Sequence, residues 1–273
     1  MKVTVLGSGS AGNSILVETG ATRLLIDAGF SGRDLERRLA AVDREPDGID
    51  AIFITHEHTD HTQGMGVCAR RWGTPVYLGE RTRIACSSLL NGSEEVRSYG
   101  CANPVTIGEL RVEPFLTIHD AVDPYAVTVT EIATGEKLGI ATDLGRPNMA
   151  VRHALRKCDI LILEANHDEI LLRESAYPWS VIQRIAGSHG HLSNRAAAEL
   201  VRELSHPDLT TVVLAHLSSQ ANHGELAKEV VGLALERMHY RGELLLGLQD
   251  VPLDPIDVSR RRLRLAPPQL AFL

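Results

Sequence analysis

One short segment of the chain is dense in metal-binding side chains. Residues 55–61 read Thr-His-Glu-His-Thr-Asp-His, which brings three imidazoles and a carboxylate close together at His56, His58, Asp60 and His61. Nitrogen and oxygen donors of this kind suit a borderline divalent ion such as zinc. One ion cannot comfortably bind all four. In a loop, His56 and His58 can turn toward one ion while Asp60 and His61 turn toward another, so the spacing predicts two metal ions.

The position of this cluster argues against an expression tag or ordinary surface histidines. A tag lies at a chain terminus, whereas the cluster follows residues 51–55, an apolar run that is typical of a buried strand. We therefore interpret the cluster as a binding site on a loop held by that strand.

Several later apolar runs also end in polar side chains that can bind metals. The pairs of run and residue are 111–118 with His119, 137–142 with Asp143, 159–164 with His167, and 210–215 with His216. Strand interiors are stiff and their ends can present ligands, so these distant side chains could meet at one edge of a sheet. A chance scatter of histidines would not follow strand ends.

The elements that must position these residues alternate between strand and helix patterns. Strands are predicted at 2–6, 14–18, 23–27 and 51–55, and helices at 31–41, 60–72, 148–157, 178–186, 193–204 and 225–238. This alternation predicts an α/β protein with layered sheets and helices outside. We expect one domain over 1–273, with the Arg-rich segment 250–273 as an edge or dangling element.

Composition narrows the class of protein but not the substrate. The 273 residues are 44% hydrophobic and 23% charged, as in an ordinary globular protein, and no segment resembles a signal peptide or a membrane span. The four cysteines are scattered, which disfavours both a zinc ribbon and a disulfide framework. We therefore expect a cytoplasmic protein with free thiols and no membrane partner.

The net charge of −7 disfavours broad, non-specific binding to nucleic acid. Local groups of arginines remain, and charge runs of this kind usually serve solubility. Charge alone does not identify the substrate.

A glycine motif near the N-terminus suggests a different function. Residues 7–12, Gly-Ser-Gly-Ser-Ala-Gly, match the G-x-G-x-x-G pattern of dinucleotide-binding oxidoreductases. That mechanism needs a helix to begin at the glycines, but residues 14–20 have the pattern of a strand and a turn. A tight turn near the metal site explains the same residues better.

With this cluster, the glycine turn and the later ligands, the chain resembles the metallo-β-lactamase fold hydrolases, whose H-x-H-x-D-H motif matches residues 56–61. The resemblance implies an αββα sandwich, in which two mixed β-sheets are flanked by helices. It also implies that Asp27 supports the site structurally. The implied ligands are His56, His58 and His119 for one ion, Asp60, His61 and His216 for the other, and Asp143 as the bridge.

Within that superfamily the chain resembles the YycJ/WalJ-type proteins, through residues 7–14, 119–121, 164–168, 190–194 and 215–218. This subgroup is described as nucleases acting on DNA. The resemblance implies a DNA exonuclease in which a hydroxide bridging two metal ions attacks phosphorus in line, with Asp60 close to it.

Residues 190–194 are also similar to the stretch of RNase Z enzymes where a histidine helps the phosphodiester leave. His191 is therefore a candidate catalytic residue that protonates the leaving oxygen. A structural role, capping the helix that begins near Ser193, remains open for it.

Four further residues are candidates for substrate binding. Asn166 and His167 follow a predicted strand at the same edge, and Ser193 and Asn194 follow His191. Each could line the pocket or orient the ligands. A purely structural role is an equal alternative.

The sequence leaves alternatives open for both the reaction and the metal ions. The preferred substrate is nucleic acid, with single-stranded DNA as the first choice; the rival is a thiolester or lactone hydrolase on the same metals. Phosphate recognition by residues 190–194, with Arg173 and Arg184 nearby, would favour the nuclease. A non-catalytic metal-binding module would be favoured only if some of the ligands were missing. His and Asp donors accept Zn, Mn or Fe, and the sequence does not indicate the oligomeric state.

Overall fold

Two seven-stranded β-sheets lie face to face between two layers of helices in a computed structural model that describes residues 1–265. The predicted αββα arrangement of two mixed sheets flanked by helices is confirmed. The strands are β1 Lys2–Gly7, β2 Ser14–Glu18, β3 Arg23–Ile26, β4 Ala51–Phe53, β5 Val76–Leu78, β6 Val96–Ser98, β7 Val105–Ile107, β8 Leu110–Leu116, β9 Tyr125–Glu131, β10 Lys137–Ala141, β11 Ile160–Glu164, β12 Thr211–Ala215, β13 Glu243–Leu246 and β14 Ile256–Asp257.

Ten α-helices and one short 3₁₀ turn, Ser87–Leu89, connect the strands of the described residues. The helices are α1 Gly32–Ala40, α2 Thr59–Thr62, α3 Met65–Trp72, α4 Glu80–Ala85, α5 Met149–Ala154, α6 Glu169–Glu174, α7 Trp179–Ala186, α8 Asn194–Leu204, α9 Gly224–Arg237 and α10 Val258–Leu265. None of these helices has the length and apolar character that crossing a bilayer requires.

Both sheets are mixed, and this arrangement gathers the strand ends that carry polar residues. The first sheet has the order β14-β1-β2-β3-β4-β5-β6, and the second has the order β13-β12-β11-β10-β9-β8-β7. Strands β3 to β6 run parallel in the first sheet, and β10 to β13 run parallel in the second. The carboxyl ends of parallel strands lie at one edge of a sheet, where loops can meet.

Three apolar layers explain why the strands are hydrophobic on both faces. In β3, Leu24 and Ile26 pack between the sheets, whereas Leu25 faces α1 and α3. On the far side of the second sheet, Leu161 and Val212 contribute to the layer that contains α8 and α9. Side chains alternate across a strand, so a strand buried on both faces has a continuous apolar sequence.

The prediction of one continuous helix over 60–72 is wrong, because the structure has two helices in this segment. α2 ends at Thr62 and α3 begins at Met65, with Gly64 between them. The Gly64 N–H donates to the carbonyl of Ala28 at 2.8 Å, and a Cβ on Gly64 would lie 2.2 Å from the carbonyl oxygen of Phe30. Close backbone packing against the loop after β3 therefore replaces continuous helical hydrogen bonding.

The Arg-rich C-terminal segment contributes an edge strand and a helix. β14 pairs antiparallel with β1, and in α10 the Arg262 guanidinium pairs with Asp159. Residues 266–273 of the predicted tail lie outside the described residues, so a single domain over 1–273 stays a prediction.

Candidate metal centre

Seven side chains that the sequence predicted as ligands meet beyond the ends of four strands. The segment after β4 carries four of them, and β8, β10 and β12 are followed by His119, Asp143 and His216. Within each group the potential ligand atoms lie within 4.8 Å of one another. The two groups are His56, His58, His119 and Asp143, and Asp60, His61, Asp143 and His216.

In the first group the imidazole nitrogens have the spacing of a metal site. His58 Nδ1 lies 3.1 Å from His56 Nε2 and 3.3 Å from His119 Nε2. Tetrahedral coordination with metal–nitrogen bonds of about 2.0–2.1 Å separates ligand atoms by about 3.3 Å. The three rings therefore fit around one ion.

Asp143 connects the two groups. Its Oδ1 lies 3.6 Å from the Nε2 atoms of both His119 and His216. Its Oδ2 is buried and makes no hydrogen bond with good geometry within residues 1–265, although His61 Nε2 lies 3.0 Å away. A buried carboxylate oxygen without a partner is costly, and a cation there would satisfy it. The residues present thus fit a pair of divalent ions.

In His61, His119 and His216 the second ring nitrogen is held by a neighbour, which fixes the direction of the first. His61 Nδ1 lies 2.8 Å from Asp27 Oδ2, and His119 Nδ1 donates to the carbonyl of Gly190 at 3.0 Å. His216 Nδ1 lies 3.0 Å from Glu164 Oε1. Such partners fix the ring orientation of metal-binding histidines. Asp27 therefore contacts the site in the supporting position that the resemblance implied.

Glu164 contacts the candidate site, although the sequence analysis gave it no role of its own. It is fully buried at the end of β11, and its Oε2 accepts hydrogen bonds from the backbone N–H groups of Leu144 and Leu192. Its Oε1 accepts from His216 and, at 2.7 Å, from His191 Nδ1. The available signal was a charged residue closing an otherwise apolar strand, since a charge is almost never fully buried without partners.

His191 lies beside both groups. Its ring centroid is 5.1 Å from that of His119 and 5.2 Å from that of His216. A third set of potential ligand atoms combines it with Asp143, Glu164 and His216. Its side chain is 17% exposed, its Nδ1 also lies 3.8 Å from Asp143 Oδ1, and its Nε2 has no hydrogen-bond partner within residues 1–265.

The charges of these groups are set by one another. Burial would raise the pKa of Asp143, but neighbouring His216 and His61 hold it well below its usual value, so the carboxylate is ionised. Burial likewise opposes the ionisation of Glu164, yet His191 and His216 lower its pKa to about 2. Burial would lower the pKa of His191, whereas the Glu164 carboxylate raises it above the ordinary value. His191 is therefore suited to carry a proton.

The glycine turn of residues 7–12 lies at this centre and leads into β2, as the sequence predicted. Ser8 Oγ donates to Asn13 Oδ1 and accepts the backbone N–H of His216. Asn13 Nδ2 donates to Asp60 Oδ2 at 3.3 Å. The turn thus orients two of the candidate ligands, and no helix begins at its glycines.

Three residues of the site have left-handed backbone conformations. Asp27, Asp143 and His216 follow β3, β10 and β12 with φ of 62°, 55° and 53°. Non-glycine residues rarely adopt this region, although Asp, Asn and His are enriched there, and such residues concentrate at functional sites.

The four predicted substrate-binding residues are outside both ligand groups. Asn166 Nδ2 donates to the carbonyl of His216, and Ser193 Oγ caps α8 and contacts Glu169. Asn194 and Asn222 exchange side-chain hydrogen bonds. His167 is buried, with Nδ1 lacking a partner within the described chain. These contacts support packing roles, and substrate binding stays a prediction.

Close backbone packing at Gly29 gives a prediction about stability. A Cβ on Gly29 would lie 1.7 Å from the carbonyl oxygen of Asp60, so Gly29→Ala must displace the ligand loop. We expect the free energy of unfolding to fall by about 1–3 kcal/mol, as for other overpacked sites, in urea titrations followed by circular dichroism. Gly20→Ala is the control, because a Cβ there meets nothing within 4 Å. Equal stability of the two variants would contradict the prediction.

Comparisons with known proteins agree with this geometry. The family model described as beta-lactamase superfamily domain matches residues 22–217. Exodeoxyribonuclease WalJ of Streptococcus pneumoniae serotype 2 is 37% identical over 231 residues, which cover 83% of this chain and 85% of that protein. Ribonuclease Z of Mycobacterium sp. (strain KMS) is 37% identical over 82 residues, covering 27% of this chain and 28% of that one.

Among solved structures, the metallo-beta-lactamase fold protein YhfI from Bacillus subtilis superposes with a TM-score of 0.70 at 19% identity, covering 93% of this chain and 99% of that one. This likeness supports the fold. The match to the family model and the long match to WalJ also show the family. Both resemblances predicted from the sequence are thereby confirmed. The chain belongs to the beta-lactamase superfamily and, within it, to the WalJ family.

Proposed function

We propose that this chain is a DNA exonuclease that uses two divalent metal ions to hydrolyse phosphodiester bonds, with single-stranded DNA as its substrate. The observation that supports it most is the sharing of Asp143 between two groups of ligand atoms, beside the Glu164–His191 pair. The name of the relative WalJ favours a nuclease over a thiolester or lactone hydrolase.

The ligand groups would hold Zn, Mn or Fe, because imidazole and carboxylate donors accept each of them. When bound, such a pair of ions makes a nucleophile available from water near neutral pH and offsets the charge of the phosphate. Asp60 has a side chain 21% exposed, with Oδ2 fixed by Asn13 and His216, so it can orient the attacking water.

His191 would complete the reaction by donating its Nε2 proton to the leaving oxygen. Its Nδ1 is bound to Glu164, which keeps the ring oriented and favours its protonated form. In this proposal Asp60 would orient the attacking water and His191 would donate the proton, beside the shared carboxylate of Asp143.

We also propose a cytoplasmic location. Cys68, Cys86 and Cys158 are buried and unpaired, and such thiols stay reduced in that compartment.

The experiment that tests this function compares polymers with and without metal. The purified chain is stripped with a chelator and incubated with 5′-phosphorylated, 3′-labelled single-stranded DNA, the matching RNA and a thiolester, with Mn or Zn restored. We expect stepwise shortening of the DNA only after metal is restored, and about two ions per chain by mass spectrometry. Hydrolysis of the thiolester with no cleavage of either polymer would overturn the proposal.

A further inference from the structure

Arg184 on α7 is joined to the metal centre through one carboxylate. Its Nε donates to Asp120 Oδ2, and Asp120 Oδ1 lies 3.3 Å from His119 Nε2. The backbone N–H of Asp120 donates to the carbonyl of His189, which follows α7 in the chain. The guanidinium is therefore held one side chain away from a candidate metal ligand.

This guanidinium is largely exposed. Nε is the only side-chain nitrogen of Arg184 with a partner in the part of the chain that the structure describes, and the side chain is 59% exposed. An arginine has five N–H donors in a planar fork, so four remain on Nη1 and Nη2. That fork matches two oxygens of one phosphate. The hydrogen bond to the Asp120 carboxylate raises the pKa of Arg184, and the negative charge of Asp60 adds a smaller effect in the same direction.

We propose that Arg184 binds the phosphate adjacent to the one being cleaved, an inference that rests on the proposed function. A DNA strand carries one negative charge per nucleotide, so when one phosphate occupies the metal centre its neighbour lies at the rim. Arg184 presents a fixed, charged fork at that rim. It is a substrate-binding residue that sets the register of the strand.

Arg173, which the sequence also placed near this segment, has a different environment. It lies on α6, and its Nε donates to the carbonyl of Glu169 within the same helix at 3.2 Å. Within the described residues, none of its hydrogen bonds leads to a candidate ligand. Arg173→Ala is therefore a matched control for Arg184→Ala.

The test replaces single phosphates of the DNA by neutral methylphosphonates, one position at a time. The wild-type chain, Arg184→Ala and Arg173→Ala are each given this series, and kcat/KM is measured for release of the terminal nucleotide. For the wild type and Arg173→Ala, we expect a methylphosphonate next to the cleaved bond to lower kcat/KM about tenfold or more, as for loss of a charged hydrogen bond. Arg184→Ala should show that loss on unmodified DNA and no further loss from the methylphosphonate.

The outcomes separate this inference from the proposed function. If the wild-type chain does not cleave unmodified DNA, the proposed function fails. If it does, an unchanged methylphosphonate effect in Arg184→Ala overturns the role of Arg184. A lower metal content of Arg184→Ala, measured by mass spectrometry, also overturns it, because Arg184 would then act on the ligands through Asp120. Partial recovery of kcat/KM by Arg184→Lys, which keeps the charge but not the fork, would support it.

Discussion

Replacing Asp143 by asparagine is expected to lower nuclease activity by at least about three orders of magnitude. Removing a partner that only supports a ligand costs about 10–100-fold, and Asp143 is itself common to all the ligand groups. Asparagine keeps the size of the side chain and tolerates the left-handed backbone at this position, but it removes the negative charge. We therefore expect a folded protein that binds fewer than two ions.

The measurements for Asp143→Asn are exonuclease rate, metal content and thermal unfolding. Asp168→Asn is the matched control, because Asp168 caps α6 through the N–H groups of Ile170 and Leu171, and asparagine is an equally good cap. Activity of Asp143→Asn within tenfold of the wild type, with two ions bound, would refute the shared role of this carboxylate.

The second large effect is expected for Glu164→Gln. Both Glu164 oxygens accept hydrogen bonds, and the amide nitrogen of glutamine cannot accept any. Either the backbone pair or the histidine pair loses its acceptor, so we expect about 1–3 kcal/mol lower stability and about 10–100-fold lower activity.

The pH dependence of Glu164→Gln provides a separate test. The Glu164 carboxylate raises the pKa of His191, so removing its charge lowers that pKa. If His191 acts as the acid, the protonated fraction then disappears at lower pH, and the alkaline limb of the kcat profile moves to lower pH. Glu174 is exposed, so Glu174→Gln is the control, and its pH profile should match that of the wild type. An alkaline limb that stays in place would show that His191 is not the acid.

Most of the candidate ligands could be found in the sequence because they lie at or near the end of an apolar run, and the H-x-H-x-D-H motif added the rest. His119, Asp143 and His216 are local features of strand ends, and the sheets bring these ends together. The alternation of apolar strands and helices predicted layered sheets with helices outside, and the resemblance to the metallo-β-lactamase fold hydrolases implied the αββα arrangement.

Other parts of the structure depend on contacts between distant residues. Glu164 has its role only because two histidines and two backbone N–H groups from other segments meet at one carboxylate. Asn194 is paired with Asn222, which no local pattern indicates. β6 is short and largely exposed, so its sequence lacks the apolar alternation that would reveal a strand.

The candidate ligands come from both β-sheets, and this has a consequence for the resistance of the protein to proteolysis. Four candidate ligands follow a strand of the first sheet and three follow strands of the second, so bound ions would tie the sheets to each other. Ions that bind only the folded state add to its stability in proportion to the logarithm of their free concentration, about 1.4 kcal/mol per tenfold increase at saturation. Under metal scarcity the chain would then unfold more often and become open to proteolysis, so its abundance would fall along with its activity.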